Sequence, residues 1–239
     1  MEIIYEDNHI IAVSKTCHEI VQADKTGDEP LAETLKRLIK ERDAKPGNVF
    51  LGVTHRLDRP TTGVVLFAKT SKALERLNRM FATGEVHKTY WCIVPNVWDD
   101  AAGDGPHPAK PLPPREQDLT DYLVRNERQN RSYAYPEPRP GAKEARLHYR
   151  VISTTPRYAL LEVRLFTGRH HQIRCQLANI GLPIRGDLKY GALRSNPDGG
   201  ISLHSREARF VHPVSRQEVV ITAPVPDDAL WQALAAPMA

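Results

Sequence analysis

Val64-Val65-Leu66-Phe67-Ala68 is the stretch that most restricts how this chain can fold. Five consecutive apolar residues, mostly β-branched or aromatic, cannot alternate between a core and water, so they fit a strand buried on both faces. A shorter run with strand character, Val49 to Val53, precedes it. Between the two lies His55-Arg56-Leu57-Asp58-Arg59-Pro60-Thr61-Thr62-Gly63, in which Pro60 and Gly63 break regular structure. A loop bearing one carboxylate, two arginines and a histidine is therefore expected beside a central strand. Arg56 and Arg59 flank Asp58 at i−2 and i+1, and nearby positive charge favours the carboxylate form. An ionised Asp there can be a nucleophile, a general base, or only a turn cap or ion-pair partner.

The chain has 239 residues, enough for one large domain or two small ones, and no boundary in the sequence is sharp enough to divide it. It is read as a single domain over 1–239. No apolar run reaches the length of a membrane span, and the acidic start Met1-Glu2-Ile3-Ile4-Tyr5-Glu6-Asp7 is unlike a signal peptide. Cys17, Cys92 and Cys175 are far apart and odd in number, which argues against a disulfide framework or a zinc site. A cytoplasmic protein, monomeric and without membrane contact, is expected. The net charge is only +4 but is unevenly placed. Residues 54–90 carry seven Lys/Arg against three acids, and residues 164–194 carry six against one. Two basic segments on a slightly acidic body suit a polyanion.

Local patterns place the elements. Residues 3–5 and 10–13 read as strand, turn and strand. Pro30 opens a helix carried by Leu31, Leu35, Leu38 and Ile39, and Pro46-Gly47 closes that segment. Ser71 caps a second helix with Leu74, Leu77 and Phe81 on its apolar stripe and Lys72, Arg76 and Arg79 outside, stopped at Gly84. Lys88 to Val94 is a strand. Residues 95–141 are Pro-rich and read as an exposed loop or insertion, with a short packed segment at Leu119, Tyr122, Leu123 and Val124. Residues 145–151 and 158–165 form a hairpin. Thr167 to Arg174 opens a third helix with Ile173, Leu177 and Ile180 on one face, ending at Gly181. Residues 208–211 and 219–222 are late strands joined at His212-Pro213. Strands outnumber helices and come in adjacent pairs, so the fold class is α+β, built on a mixed, largely antiparallel sheet with flanking helices.

Chemistry concentrates in three places. Asp58 is the first. Lys88 and Tyr90 share one face of their strand, which at a cleft wall offers a phosphate contact and a stacking ring with a proton donor. His170 and Arg174 are four apart on the third helix. Arg174 reaches the edge of the core and needs an anion; Asp58 is the carboxylate assigned to it, and Asp187 is the rival within 164–194. His170 and His171 diverge by about 100° on a helix and so do not chelate a metal together.

His55-Arg56-Leu57-Asp58 with Pro60-Thr61-Thr62-Gly63, then Lys88-x-Tyr90, then Thr167-Gly168-Arg169-x-His171-Gln172-Ile173-Arg174, resemble the motifs of the RluA-type family of RNA pseudouridine synthases. Later blocks fit too: Ile184-x-Gly186-Asp187, Lys189-Tyr190-Gly191, Leu203-His204-Ser205 and Phe210-x-His212-Pro213. The resemblance covers nearly the whole chain and implies a single catalytic domain with a central cleft. It implies isomerisation of a specific uridine in tRNA or rRNA, with no cofactor and no metal. It implies Asp58 as the catalytic carboxylate, Tyr90 as the ring that stacks on the uracil and takes part in proton transfer, and Arg174 as the partner of Asp58. Arg56 would fill the gap left by a flipped base, Ile173 would pack near that base, and Lys88, Arg169 and His171 would contact substrate.

The physics fits those roles. A base inside a helix must leave the stack to be turned over, at a cost of a few kcal/mol, and a planar guanidinium can replace it. The departures are also informative. Family members carry Lys-Pro-x-Gly early, whereas Lys15-Thr16-Cys17-His18 stands here, so a differently shaped loop is expected and Lys15 receives no role. No separate N-terminal RNA-binding domain is expected. The rival readings are an RNA-binding protein without catalysis and a metal-dependent phosphoester hydrolase using His170, His171 and Asp58.

Overall fold

The computed structural model describes residues 1–24, 27–99 and 112–238. In chain order its main elements are β1 (Glu2–Glu6), β2 (Ile10–Lys15), α1 (Leu31–Arg42), β3 (Gly52–Val53), β4 (Thr62–Ala68), α2 (Ser71–Thr83), β5 (His87–Pro95), β6 (Glu116–Asn126), β7 (Arg131–Tyr135), β8 (Lys143–Thr154), β9 (Tyr158–Leu165), α3 (Gln172–Asn179), β10 (Leu203–Val211), β11 (Glu218–Thr222) and α4 (Ala229–Ala235). The backbone forms two compact units, Met1–His87 with Ser205–Pro224, and Lys88–His204 with Val225–Ala239.

In the first unit the carboxylate of Asp7 accepts from the backbone N–H of His9 and of Ile10, both at 2.7 Å, and so turns β1 into β2. β4 pairs antiparallel with β2, Lys15 opposite Gly63 and Ile10 opposite Ala68. Val64 to Ala68 are all fully buried, as the unbroken apolar run demands. Ile10, Ala12, Val64 and Leu66 pack with Ala73, Leu77 and Met80 of α2 and with Phe210 and Ile221 of the antiparallel pair β10–β11. Only Gly52–Val53 of the first apolar run pairs as a strand. The cap of α2 is Thr70, one residue before the expected Ser71. Thr70 is extended (φ −137°) and its hydroxyl accepts from Ala73 N–H at 3.2 Å. Gly84 ends the helix at φ +78°. Pro30 likewise sits just outside α1, extended, with its carbonyl receiving the first helical N–H groups.

In the second unit the antiparallel order is β5–β9–β8–β6–β7. The expected hairpin is β8–β9, with a register shift between Val151 and Ser153. The expectation for 95–141 needs correction. Residues 100–111 lie outside the described residues, but 116–135 form an eleven-residue strand and its five-residue partner. Leu119, Asp121 and Leu123 all point inward. A carboxylate at the middle inward position disguises the alternation, and it sits there because Gln176 donates to it at 2.7 Å.

α3 also differs. It begins at Gln172, not near Thr167, because His171 adopts a left-handed φ of +52°. His170 therefore precedes the helix, and the helical argument about the two histidines does not apply. Their rings stack with centroids 3.7 Å apart. α4 went unread, being only seven residues. Asp228 caps it, and Trp231 and Leu234 bury against Trp91, Ile93 and Leu160. All three cysteines are buried, and among the described residues none forms a disulfide. Among the described residues no helix is long and apolar enough to cross a membrane.

Candidate active site

Asp58 is half-buried on the loop entering β4, where its carbonyl accepts from Thr61 N–H at 3.0 Å to close a turn. The loop is held by groups on every side. His55 Nε2 accepts from Leu66 N–H at 3.0 Å, its ring stacks on Phe81 at 4.6 Å, and the Thr54 hydroxyl donates to Leu66 O at 2.7 Å. Lys15, 1 % exposed at the end of β2, donates to three carbonyls: Thr16 at 2.7 Å, Arg59 at 2.8 Å and Thr61 at 2.7 Å. The carbonyls of Arg59 and Thr61 bracket Pro60, so one ammonium fixes the backbone that follows Asp58. Burial pushes this ammonium down from 10.5 to about 8, while Glu19, Cys17 and Asp58 act to raise it. Lys15 had no role in the sequence reading. Its signal was a lysine completing an apolar strand, which water cannot explain.

Gly63 has φ +107°, and a Cβ there would lie 2.2 Å from the Ser205 carbonyl oxygen. The glycine of the first motif and the serine of the Leu203-His204-Ser205 block are thus in backbone contact. Arg59 pairs with Asp28, with Asp24 at 3.9 Å, so its charge is shared with these acids. Arg56 is exposed.

The remaining site residues lie in the second unit. Tyr90 is 6 % exposed on β5, opposite Val163, and Lys88 stands opposite Leu165. Lys88 is half-buried, and burial lowers its pKa. A Cβ on Gly168 would lie 3.8 Å from the Lys88 ammonium, which places this charge beside the Thr167-Gly168-Arg169 turn.

Arg174, 5 % exposed, is deeper than the core-edge position expected. Asp187, the rival carboxylate, pairs with it. Nε meets Oδ2 at 2.6 Å and Nη2 meets Oδ1 at 2.9 Å, while Asp187 is 1 % exposed. This fork uses one edge of the guanidinium and leaves Nη1 outside it. Asp187 also accepts, through its carbonyl, from Tyr190 and Ala192 N–H at 3.0 Å. The guanidinium lies over the Tyr190 ring at 5.1 Å. The Tyr190 hydroxyl meets His171 Nδ1 at 3.0 Å and accepts from Ser132 N–H at 2.8 Å. His171 is 8 % exposed, so the expected substrate contact is a buried side chain directed at Tyr190. Ile173 is also buried. Arg169 donates from Nε to the Glu144 carbonyl at 2.8 Å, which pins it to β8.

Gln172 organises the turn before α3. Its Oε1 accepts from the Thr167 hydroxyl at 2.8 Å and Arg169 N–H at 3.0 Å. Its Nε2 donates to Arg146 O and to Gln176 Oε1, each at 3.0 Å. Gln176 in turn donates to Asp121 at 2.7 Å, where burial raises the carboxyl's pKa. Asp58 and Arg56 thus belong to the first unit. Tyr90, Lys88, Arg169, His171, Ile173 and Arg174 belong to the second. Lys15, Tyr190 and Gln172 are further residues whose contacts the sequence did not disclose, and Asp187 is the one it offered only as a rival partner of Arg174. Among the described residues no group of three or more His, Cys, Asp and Glu could hold a metal ion.

The RNA pseudouridylate synthase family model matches residues 9–179. The tRNA pseudouridine synthase C of Vibrio vulnificus is 35% identical over 98% of this chain and 94% of its own length. The protein of the same name from Vibrio cholerae is 35% identical with the same coverage. The ribosomal large subunit pseudouridine synthase D of Xylella fastidiosa is 31% identical over 99% of this chain and 69% of its own. The solved human RNA pseudouridylate synthase domain containing 4 shares the fold, with a TM-score of 0.73, 24% identity, and coverage of 95% and 89% of the two chains. This chain belongs to the RNA pseudouridylate synthase family. Its activity is the isomerisation of uridine to pseudouridine in RNA.

Proposed function

We propose that the chain modifies a specific uridine in a structured tRNA or rRNA, that tRNA is the favoured substrate, and that Asp58 is the catalytic carboxylate. The tRNA preference is supported by relatives named for tRNA that match along almost their whole length. The role of Asp58 rests on one observation above others. A half-buried carboxylate sits on a loop whose next residues are fixed by two hydrogen bonds from a single buried lysine. A nucleophile needs a set direction more than it needs exposure.

In this reading the target nucleotide leaves its stack and Arg56, exposed and planar, takes the vacated place. Asp58 attacks the nucleoside. The N1–C1′ bond breaks, the uracil turns, C5 bonds to C1′, and the bond made by Asp58 breaks in turn, which regenerates the carboxylate. The proton lost from C5 is balanced by one gained at N1, so the reaction is an isomerisation with no net reagent. Tyr90 stacks on the uracil and serves proton transfer. Arg174, already oriented by Asp187, holds Asp58 as the carboxylate. Ile173 packs near the base, Lys88 and Arg169 meet phosphate or sugar, and His171 serves the site through Tyr190. The protein acts as a monomer in the cytoplasm.

Pseudouridine mapping of tRNA and rRNA from a strain lacking this gene, with and without the gene restored, tests the reading. Restoration is expected to return pseudouridine at one tRNA position or a small set. An unchanged map in both RNA classes would contradict it.

A further inference from the structure

Arg131 opens the edge strand β7, opposite Asn126, and is half-buried. Its guanidinium carbon lies over two tyrosine rings, 5.4 Å from the Tyr133 centroid and 5.0 Å from the Tyr190 centroid. Contact with ring faces holds a guanidinium through cation–π attraction and leaves its in-plane N–H groups uncommitted. Among the described residues no carboxylate or carbonyl accepts from it, and its Nε is buried without a hydrogen-bond partner. Other arginines of this unit find acceptors: Arg174 has Asp187, Arg150 has Glu162, and Arg169 has the Glu144 carbonyl. A buried, unanswered donor on a charged group is costly unless a ligand supplies the acceptor.

The surroundings say which ligand. Tyr190 is itself fixed by Ser132 N–H and His171, and the Arg174 guanidinium lies over the same ring. The Lys189 ammonium is beside the turn before Arg131, donating to Asn130 O at 3.0 Å. Two cationic side chains, one planar and preoriented, stand next to the third motif, and among the described residues no acidic side chain pairs with either one. A planar fork of N–H groups matches the oxygens of a phosphate.

We propose that Arg131 is a backbone-phosphate site for the RNA substrate, held in its binding orientation by Tyr133 and Tyr190. The inference rests on the reading above that the substrate is a structured RNA.

The test measures binding of an unmodified tRNA transcript by fluorescence anisotropy across a salt series, for the wild-type protein and Arg131→Gln. The expected result is about tenfold weaker binding, typical of losing a charge-assisted hydrogen bond. The slope of log affinity against log salt should also fall by about 0.7 to 0.9, the value of one phosphate contact. Arg131→Lys should keep the slope but recover only part of the affinity. Phenylglyoxal labelling of the wild-type protein, read at Arg131 by mass spectrometry, avoids any folding defect of the variants and should show protection by the transcript. Unchanged affinity and slope in Arg131→Gln, or labelling of Arg131 indifferent to the transcript, would overturn the proposal. If the wild-type protein makes no pseudouridine in tRNA or rRNA, the functional reading has failed instead, and the two failures are told apart by that control.

Discussion

Asp187 grips Arg174 through both carboxylate oxygens, at 2.6 and 2.9 Å, with the two side chains only 1 % and 5 % exposed. The pair ties α3 to the Gly186–Gly191 turn, and it fixes the guanidinium before any substrate arrives. Preorganisation of this kind lets an arginine act on a second anion without reorganising in the reaction.

Removing one member of that pair leaves a buried charge unanswered. Asp187→Ala is expected to cost about 3–5 kcal/mol of stability. Replacing both, as Arg174→Met with Asp187→Leu, should cost much less while abolishing activity. Urea denaturation of the single and double variants checks the first part. A double variant no more stable than Asp187→Ala would show that the pair is not the source of the loss.

Lys15 carries a pH dependence whose sign can be worked out. Its folded pKa, about 8, lies below its ordinary 10.5. Between these values the unfolded chain binds the extra proton, so this group makes stability rise, not fall, with pH. Yet the ammonium is the form that can serve three carbonyls at once. Pseudouridine formation should therefore decline as pH passes about 8 while the melting temperature shows no matching drop from this group. In Lys15→Met the loop loses its anchor. Stability should fall by about 3 kcal/mol, since buried carbonyls are left without donors, and the inflection near pH 8 should vanish. Rate–pH profiles and melting curves of both proteins decide it.

Gly63 and Gly84 both hold positive φ, but only one is crowded. A methyl at Gly63 would meet the Ser205 backbone at 2.2 Å, whereas at Gly84 nothing lies within 4 Å. Gly84→Ala is expected to cost about 1 kcal/mol through strain alone. Gly63→Ala should cost several times more and disrupt the Asp58 loop. Thermal melts of the two variants side by side give the answer, and equal losses would refute the argument.

Arg56 is exposed, so Arg56→Ala should leave stability within about 0.5 kcal/mol of wild type. If it stabilises the flipped state, pseudouridine formation should slow in a duplex-embedded target more than in a single-stranded one, where less unstacking is needed. Comparing single-turnover rates on the two substrates measures this.

Much of the fold could be read directly. The unbroken run at 64–68, the β8–β9 hairpin and the α2 stripe are periodic patterns that local sequence carries. Two of the differences share a cause: polar residues placed inside by distant partners. Asp121 broke the alternation of β6 because its hydrogen-bond donor is Gln176, fifty-five residues away. Lys15 seemed roleless because its acceptors lie on the Asp58 loop. His171 reads as helical in the sequence because nothing local announces a positive φ at a histidine. The site motifs were visible as residue types, but not the two-pronged grip of Asp187 on Arg174, since one-dimensional spacing offered Asp187 only as one candidate.

The most direct test is Asp58→Asn, which keeps the shape of the side chain and removes its charge. Incubated in excess with a uridine-containing tRNA transcript that the wild-type protein modifies, the variant is predicted to bind the RNA within a few-fold of wild type and to form no pseudouridine. Pseudouridine appearing at the wild-type position would contradict the assignment of Asp58.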